Sequence, residues 1–186
     1  MINNSNDAFE DVPDIEKRWK AWVIDNLFIF AVILLIVALS GIIFHITGLA
    51  NKPFFTQGYF AIFIIVLYVF GFIFYFTFML GKYGQTLGKM NEGYKIVKTD
   101  GKPVKYGNAF LRSIGYMINY ITLIGWLWIL FNPQRRGWHD IIANTKPVKG
   151  EIKGTSTLIG IIFVIALILS FIAMFVAGGI RIERYP

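Results

Sequence analysis

At 186 residues, 56% hydrophobic and only 16% charged, the chain is too apolar for an ordinary soluble domain, in which about a quarter of residues are charged. It has no cysteine, which excludes disulfides, thiol nucleophiles and thiolate metal sites. The net charge of +7 fits loops that orient a membrane protein better than a surface for nucleic acid.

Residues 1–16 read as a flexible polar tail carrying Asp7, Glu10, Asp11, Asp14 and Glu16. An acidic start of this kind is not the basic opening of a cleaved signal peptide, so the first helix is expected to stay as an anchor. Lys17, Arg18 and Lys20 follow at the expected membrane face, with Trp19 and Trp22 as interfacial aromatics. Basic residues there predict a cytoplasmic N-terminus. From Ala21 the chain runs apolar to about Ile46, long enough for a span of about 20 residues. Asp25 lies inside that run. A carboxylate at such depth costs at least a few kcal/mol unless it faces protein or water. The helical neighbours of Asp25 are Ala21, Trp22, Phe28 and Ile29, none a cation, so its partner must come from another element. Two roles stand open: a structural contact that fixes packing, or a proton or cation site.

Thr47–Gln57 is a short external connection, and Pro53–Gly81 is a second, Phe-rich span. Lys82–Arg112 is polar. Its GKYGQTLGKMNEG reads as a glycine-broken turn or short interfacial helix. Gly84, Gly88 and Lys89 do not make a phosphate loop, because the glycine spacing is short and Met90 stands where Ser or Thr is needed. YKIVKTDGKPVKYG predicts a β-hairpin, with Tyr94–Thr99 as one strand, Asp100-Gly101 as the turn and Lys102–Tyr106 as the second. Asn108 is the expected N-cap of a helix starting at Ala109. Ser113–Gln134 is uncharged but broken by Ser113, Gly115, Asn119, Thr122 and Gly125, poor material for a lipid-facing span. Trp138–Ala143 predicts one helical turn, Asn144–Lys149 a strand, and Gly154–Ile180 a conventional span.

Charge decides between two topologies. If 113–134 dips in and returns, Arg135, Arg136, Lys146, Lys149 and Lys153 stay inside, leaving Lys52, Arg181 and Arg184 outside. Full crossing puts the first group outside with Lys52, against the positive-inside tendency. Re-entry also lets the strand at 144–149 pair with the hairpin. The expected fold is an all-α polytopic membrane protein with three or four transmembrane helices, the third hydrophobic segment re-entrant, and a small cytoplasmic β-hairpin element.

KRWKAWVID, GQTLGKMNEGYKIVKTDGKPVKYGNAFLRSIG and LWILFNPQRRGWHDIIANTKPVK together resemble the RDD family of bacterial membrane proteins, over roughly residues 15–150. The family is named for one arginine and two aspartates. The resemblance implies that these are Arg18, Asp25 and Asp140. It divides the chain into a tail at 1–16, an RDD-like membrane domain at 17–150, and a C-terminal transmembrane helix with a short tail at 151–186. Transport of unidentified ligands has been suggested for the family, and cation–proton antiport for some members.

The candidate ion or ligand site is therefore Arg18, Asp25, Arg112 and Asp140, with Asn119 and Tyr116 beneath. Asp25 is expected to pair with Arg112, or with Arg18 through water. Asp140 either joins this network or merely caps its short helix. Arg135 and Arg136 read as a solvated basic flank. His45 and His139 are too few for a metal site, and His139 reads as a surface-loop histidine. No cofactor, metal or catalytic nucleophile is expected, so the chain reads as a non-enzyme of the cell membrane. Its function is expected to be transport of small cations or protons with Asp25 as the exchanging carboxylate, which in a chain without internal repeats implies a homo-oligomer. The alternative is a non-transporting module that binds or regulates another membrane protein. The partners expected are the lipid bilayer, a small cation or proton, and a second copy or membrane-protein partner, with no nucleic acid.

Overall fold

Asp14 starts the first helix. Its side-chain Oδ1 accepts from Lys17 N at 2.9 Å and its carbonyl from Arg18 N at 3.3 Å, as an N-cap requires. The computed structural model describes residues 12–48, 58–122, 128–129, 131–132, 135–150 and 161–172. Helix α1, Ile15–Ile46, thus begins inside the stretch expected to be tail. It ends where Thr47 N donates to Ile43 O (3.0 Å) and Gly48 turns left-handed at φ 72°. Helix α2 is Tyr59–Tyr83. The stretch 15–44 and all of α2 are long and apolar enough to cross a membrane, and only 17% and 11% of their most apolar windows are buried. Helices that apolar and that exposed suit a lipid surrounding, whereas a soluble core helix is hidden.

After α2 come α3 (Leu87–Asn91), β1 (Tyr94–Lys98), α4 (Tyr106–Thr122), α5 (Trp138–Ile142) and β2 (Thr145–Lys149). The apolar helix α6 covers Ile161–Ile172. The described residues therefore hold two candidate spans rather than three or four. Most of the expected fourth span at 154–180, with Arg181 and Arg184, lies outside the described residues, as do 123–127 of the third run.

The chain falls into two units. One contains 1–25 and 72–156, the other 26–71 and 157–186. In the second, Tyr68 donates to Asn26 Oδ1 at 3.3 Å, and Phe44 meets Phe60 edge-on at 6.5 Å.

The expected hairpin is corrected. β1 pairs antiparallel with β2, Tyr94 opposite Lys149 and Lys98 opposite Thr145. The segment after the Asp100-Gly101 turn contributes one bridge, Val97 to Pro103. Pro103 has no N–H to extend that ladder, and the chain enters α4 at Tyr106, before a second arm can form. Asn108 consequently lies inside α4 and is not its cap; its amide donates to Ala143 O at 2.9 Å. The β1–β2 pairing has a topological consequence. The chain that leaves the sheet at Lys98 comes back beside it at Thr145.

Helix α4 is inverted relative to a soluble helix. Ala109, Arg112, Ser113, Tyr116 and Asn119 are buried at helical spacing, while Tyr106, Phe110, Leu111 and Ile118 are exposed. Helix α5 follows suit, hiding His139 and Asp140 and exposing Ile141 and Ile142.

Single cysteines at Lys105 and Lys146 test the return. Both are expected to react with a membrane-impermeant maleimide from the same face of intact vesicles. Labelling from opposite faces would break the β1–β2 pairing.

Candidate functional site

Asp25 and Asp140 are both completely buried, and each organises one half of the site. Around Asp25 the GQTLGKM stretch closes a tight turn. Gly84 adopts φ 68°, and its carbonyl accepts from Ile96 N at 2.7 Å. Thr86 caps α3 in extended conformation and accepts from Lys89 N at 3.4 Å. Asp25 Oδ1 accepts from Tyr75 Oη at 2.7 Å and Gly88 N at 2.8 Å. Its Oδ2 accepts from Thr86 Oγ1 at 2.6 Å and lies 3.5 Å from Lys89 Nζ. Leu87 N donates to Tyr75 Oη at 3.1 Å. The first-turn N–H groups of α3, left without partners by the helix itself, are thus taken by Tyr75, Asp25 and Thr86. Gly88 permits this approach, because a Cβ there would overlap the Ala21 backbone.

The expected Asp25–Arg112 pair is corrected. Asp25 pairs with Lys89, and Arg112 pairs with Asp140. The reason is geometric. The α3 turn brings Lys89 and the Gly88 N–H directly onto α1, while α4 packs against α5 and presents Arg112 to that helix instead.

Around Asp140, Arg112 Nη1 lies 2.5 Å from Oδ1 and Arg18 Nη1 lies 3.3 Å from Oδ2. Gly137 N donates to Oδ2 at 2.9 Å, so Asp140 also caps α5 from its third position. The two expected roles of Asp140, network member and cap, therefore coincide. Arg18 further donates to Pro13 O (3.0 Å) and Arg135 O (2.7 Å). Arg135 holds a left-handed φ of 50°. Arg112 donates to Tyr116 Oη at 3.3 Å and to Thr145 Oγ1. Arg136 donates to Asp140 O at 3.3 Å, so it is tied to the site, whereas Arg135 presents an exposed side chain and only its carbonyl inward. Burial alone would raise the Asp140 carboxyl, but Arg112, His139 and Arg18 outweigh it and hold it below the usual carboxylate range.

His139 is not a surface-loop residue; it is 2% exposed. It stacks against Tyr116 with centroids 4.3 Å apart, and a Cβ on Gly115 would meet its backbone at 2.9 Å. Burial, with the neighbouring Arg112, Arg18 and Lys89 charges, pushes the imidazole down to about 3, against the pull of Asp140. The ring is neutral at physiological pH. Asn119 Nδ2 donates to Nδ1 at 3.2 Å in the tautomer that turns Nε2–H toward Asp140 Oδ2 at 3.5 Å.

The structure thus brings Arg18, Arg112, Asn119 and Asp140 into one network and sets Asp25 in a second, with Lys89. Sequence reasoning missed Lys89, Thr86, Tyr75, Thr145 and the burial of His139. The short GQTLGK turn held a signal for the first two, a capping threonine and a lone cation among glycines. Among the described residues no group of acids and histidines is arranged to hold a metal.

The model of the RDD family matches residues 12–144. The uncharacterized protein YxaI of Bacillus subtilis is 26% identical over 141 residues, covering 70% of this chain and 93% of its own. The uncharacterized membrane protein YteJ of the same organism is 35% identical over 80 residues, 42% of this chain and 48% of its own. No solved structure matches significantly.

Breaking a buried pair costs roughly 3–5 kcal/mol because it strands a charge. Asp25→Asn and Lys89→Met are each expected to lower thermal stability in detergent, and the double variant by less than their sum. Gly88→Ala is expected to cost about 1–3 kcal/mol through overlap with Ala21; a neutral result would mean that the two backbones are further apart.

His139 binds its proton less readily folded than unfolded, so its contribution is complete above its ordinary value near 6.5 and declines as pH falls toward 3. The expected loss at pH 5 is about 2 kcal/mol. Asp140 has the same sign but acts lower, below the ordinary carboxylate range. Melting curves from pH 7 to 4 should therefore fall in the wild type and flatten between pH 4 and 6.5 in His139→Gln.

Proposed function

The chain belongs to the RDD family, and on that premise we propose that it is a multi-pass protein of the cell membrane, with no catalytic activity, that binds or regulates another membrane protein. The observation that supports this reading best is the saturation of Asp25. Both oxygens are engaged, by Tyr75, Thr86, Gly88 N and Lys89. A carboxylate spent on closing the α3 turn is poorly suited to exchanging ions, because each cycle would disrupt that turn. The outward apolar faces of α4 and α5 suit contact with lipid or with helices of a partner. On this reading the N-terminus and the β1–β2 sheet are cytoplasmic, and the run after α4 re-enters without crossing.

A second reading keeps cation–proton exchange by a homo-oligomer. It draws on one observation, a fully buried carboxylate 3.5 Å from a lysine on a helix apolar enough to span. Vesicle flux separates the two. Purified protein is reconstituted with a pH-sensitive dye inside, and sodium, potassium and lithium gradients are applied in turn. The module reading expects no cation-driven proton movement from folded protein. It also expects photo-crosslinkers at Phe110 and Ile118 to capture a membrane protein in native membranes. Proton movement that disappears in Asp25→Asn would sink it and establish exchange.

A further inference from the structure

The two halves of the site share a small cavity. Arg18, Lys89, Arg112, Tyr94, Tyr116 and His139 line it. About 10 Å³ is open to the centre of a water-sized sphere, enough for one water or an ion slightly larger, since the centre can shift by roughly 1 Å. Its walls are unlike a cation site. Neither carboxylate lines it, whereas three cationic side chains do, at 5%, 2% and 2% exposure.

The charge count points the same way. Among the described residues the buried charged groups are Arg18, Lys89, Arg112, Asp25 and Asp140. Two carboxylates face three cations. The surplus falls next to the cavity, because Arg18 and Arg112 share the single carboxylate of Asp140. Arg18 completes its bonding with two backbone carbonyls, which carry no full charge. His139 is neutral, and burial keeps the Tyr94 phenol protonated. A buried positive charge with no carboxylate of its own is costly, and a small anion beside it lowers that cost. The faces of Phe76, Tyr94 and Tyr116 are turned to Lys89, whose Nζ lies 5.2, 6.0 and 5.4 Å from their centroids, so they offset part of its charge and leave the remainder beside Arg18 and Arg112. A dianion such as sulfate is too large for the volume and would reverse the sign of the surplus.

We propose that the cavity enclosed by Arg18, Lys89 and Arg112 binds one halide-sized monovalent anion, chloride under physiological conditions, as a structural part of the folded domain. The anion sits against the three cations and neutralises the buried core. It is independent of whether the protein moves ions across the membrane.

The test uses the full chain in detergent, prepared in gluconate and then supplied with chloride, bromide or sulfate at constant ionic strength. Chloride and bromide are expected to raise the melting temperature by about 5 °C over gluconate, saturating with concentration, and sulfate is not. Chloride-35 NMR should show line broadening that bromide reverses. Two variants move the effect in opposite directions. Lys89→Met removes the surplus charge and should abolish the halide dependence, while Asp25→Asn enlarges the surplus and should strengthen it. A merely structural loss would not split the two by sign. If either variant fails to fold, the wild-type NMR competition decides alone. Equal melting in chloride and gluconate, equal stabilisation by sulfate, or broadening that bromide does not reverse would each overturn the proposal.

Discussion

The pairing of Asp140 with Arg18 and Arg112 is the interaction on which the rest of the described core depends. It joins three elements far apart in sequence, α1, α4 and α5, through one carboxylate with no exposed surface. The same oxygen that meets Arg18 accepts from Gly137 N and starts α5. Thr145, at the head of β2, binds Arg112 in turn. The sheet, the short helix and the first helix are thereby referred to one charge, so a change at Asp140 is felt in all of them. In a low-dielectric interior such groups tolerate no half-measures: paired they specify a single arrangement, and unpaired they are costly.

The inverted helices explain why the charges are inside. A soluble protein turns its polar faces outward to water. Here α4 turns Arg112, Ser113, Tyr116 and Asn119 inward, and Phe110, Leu111 and Ile118 outward. A face of that kind suits lipid or a partner helix, as the proposed reading has it, and polar groups turned inward must find their partners within the protein. Tyrosines and threonines then act as intermediaries. Tyr75 passes a hydrogen bond from Leu87 N to Asp25, and Thr86 receives Lys89 while donating to the same carboxylate.

Two glycines set the distances over which these contacts work. Gly88 lets the α3 turn touch the Ala21 backbone, and Gly115 lets α4 approach His139. Neither owes its place to positive φ; each is a site where a Cβ has no room. The charge pairs are short because the backbones can come this close.

The sequence by itself determined the membrane class, the helices α1 and α2, the turn at Asp100-Gly101 and the strand near 145–149, and it singled out Arg18, Asp25, Arg112, Asn119 and Asp140, all of which are buried. These are legible because hydropathy over a long run, alternation over a short one, and a charge within an apolar stretch are local or nearly local signals. Only the tertiary structure decided the partners. Asp25 meets Lys89 rather than Arg112, the segment after the Asp100-Gly101 turn adds one bridge rather than a second strand, and His139 is buried rather than in a loop. Spacing along α1 could exclude a cation on that helix but could not say which other element arrives. That choice rests on the space at Gly88 and Gly115 and on the N–H that Pro103 lacks, features whose effect exists only once the backbones are in contact.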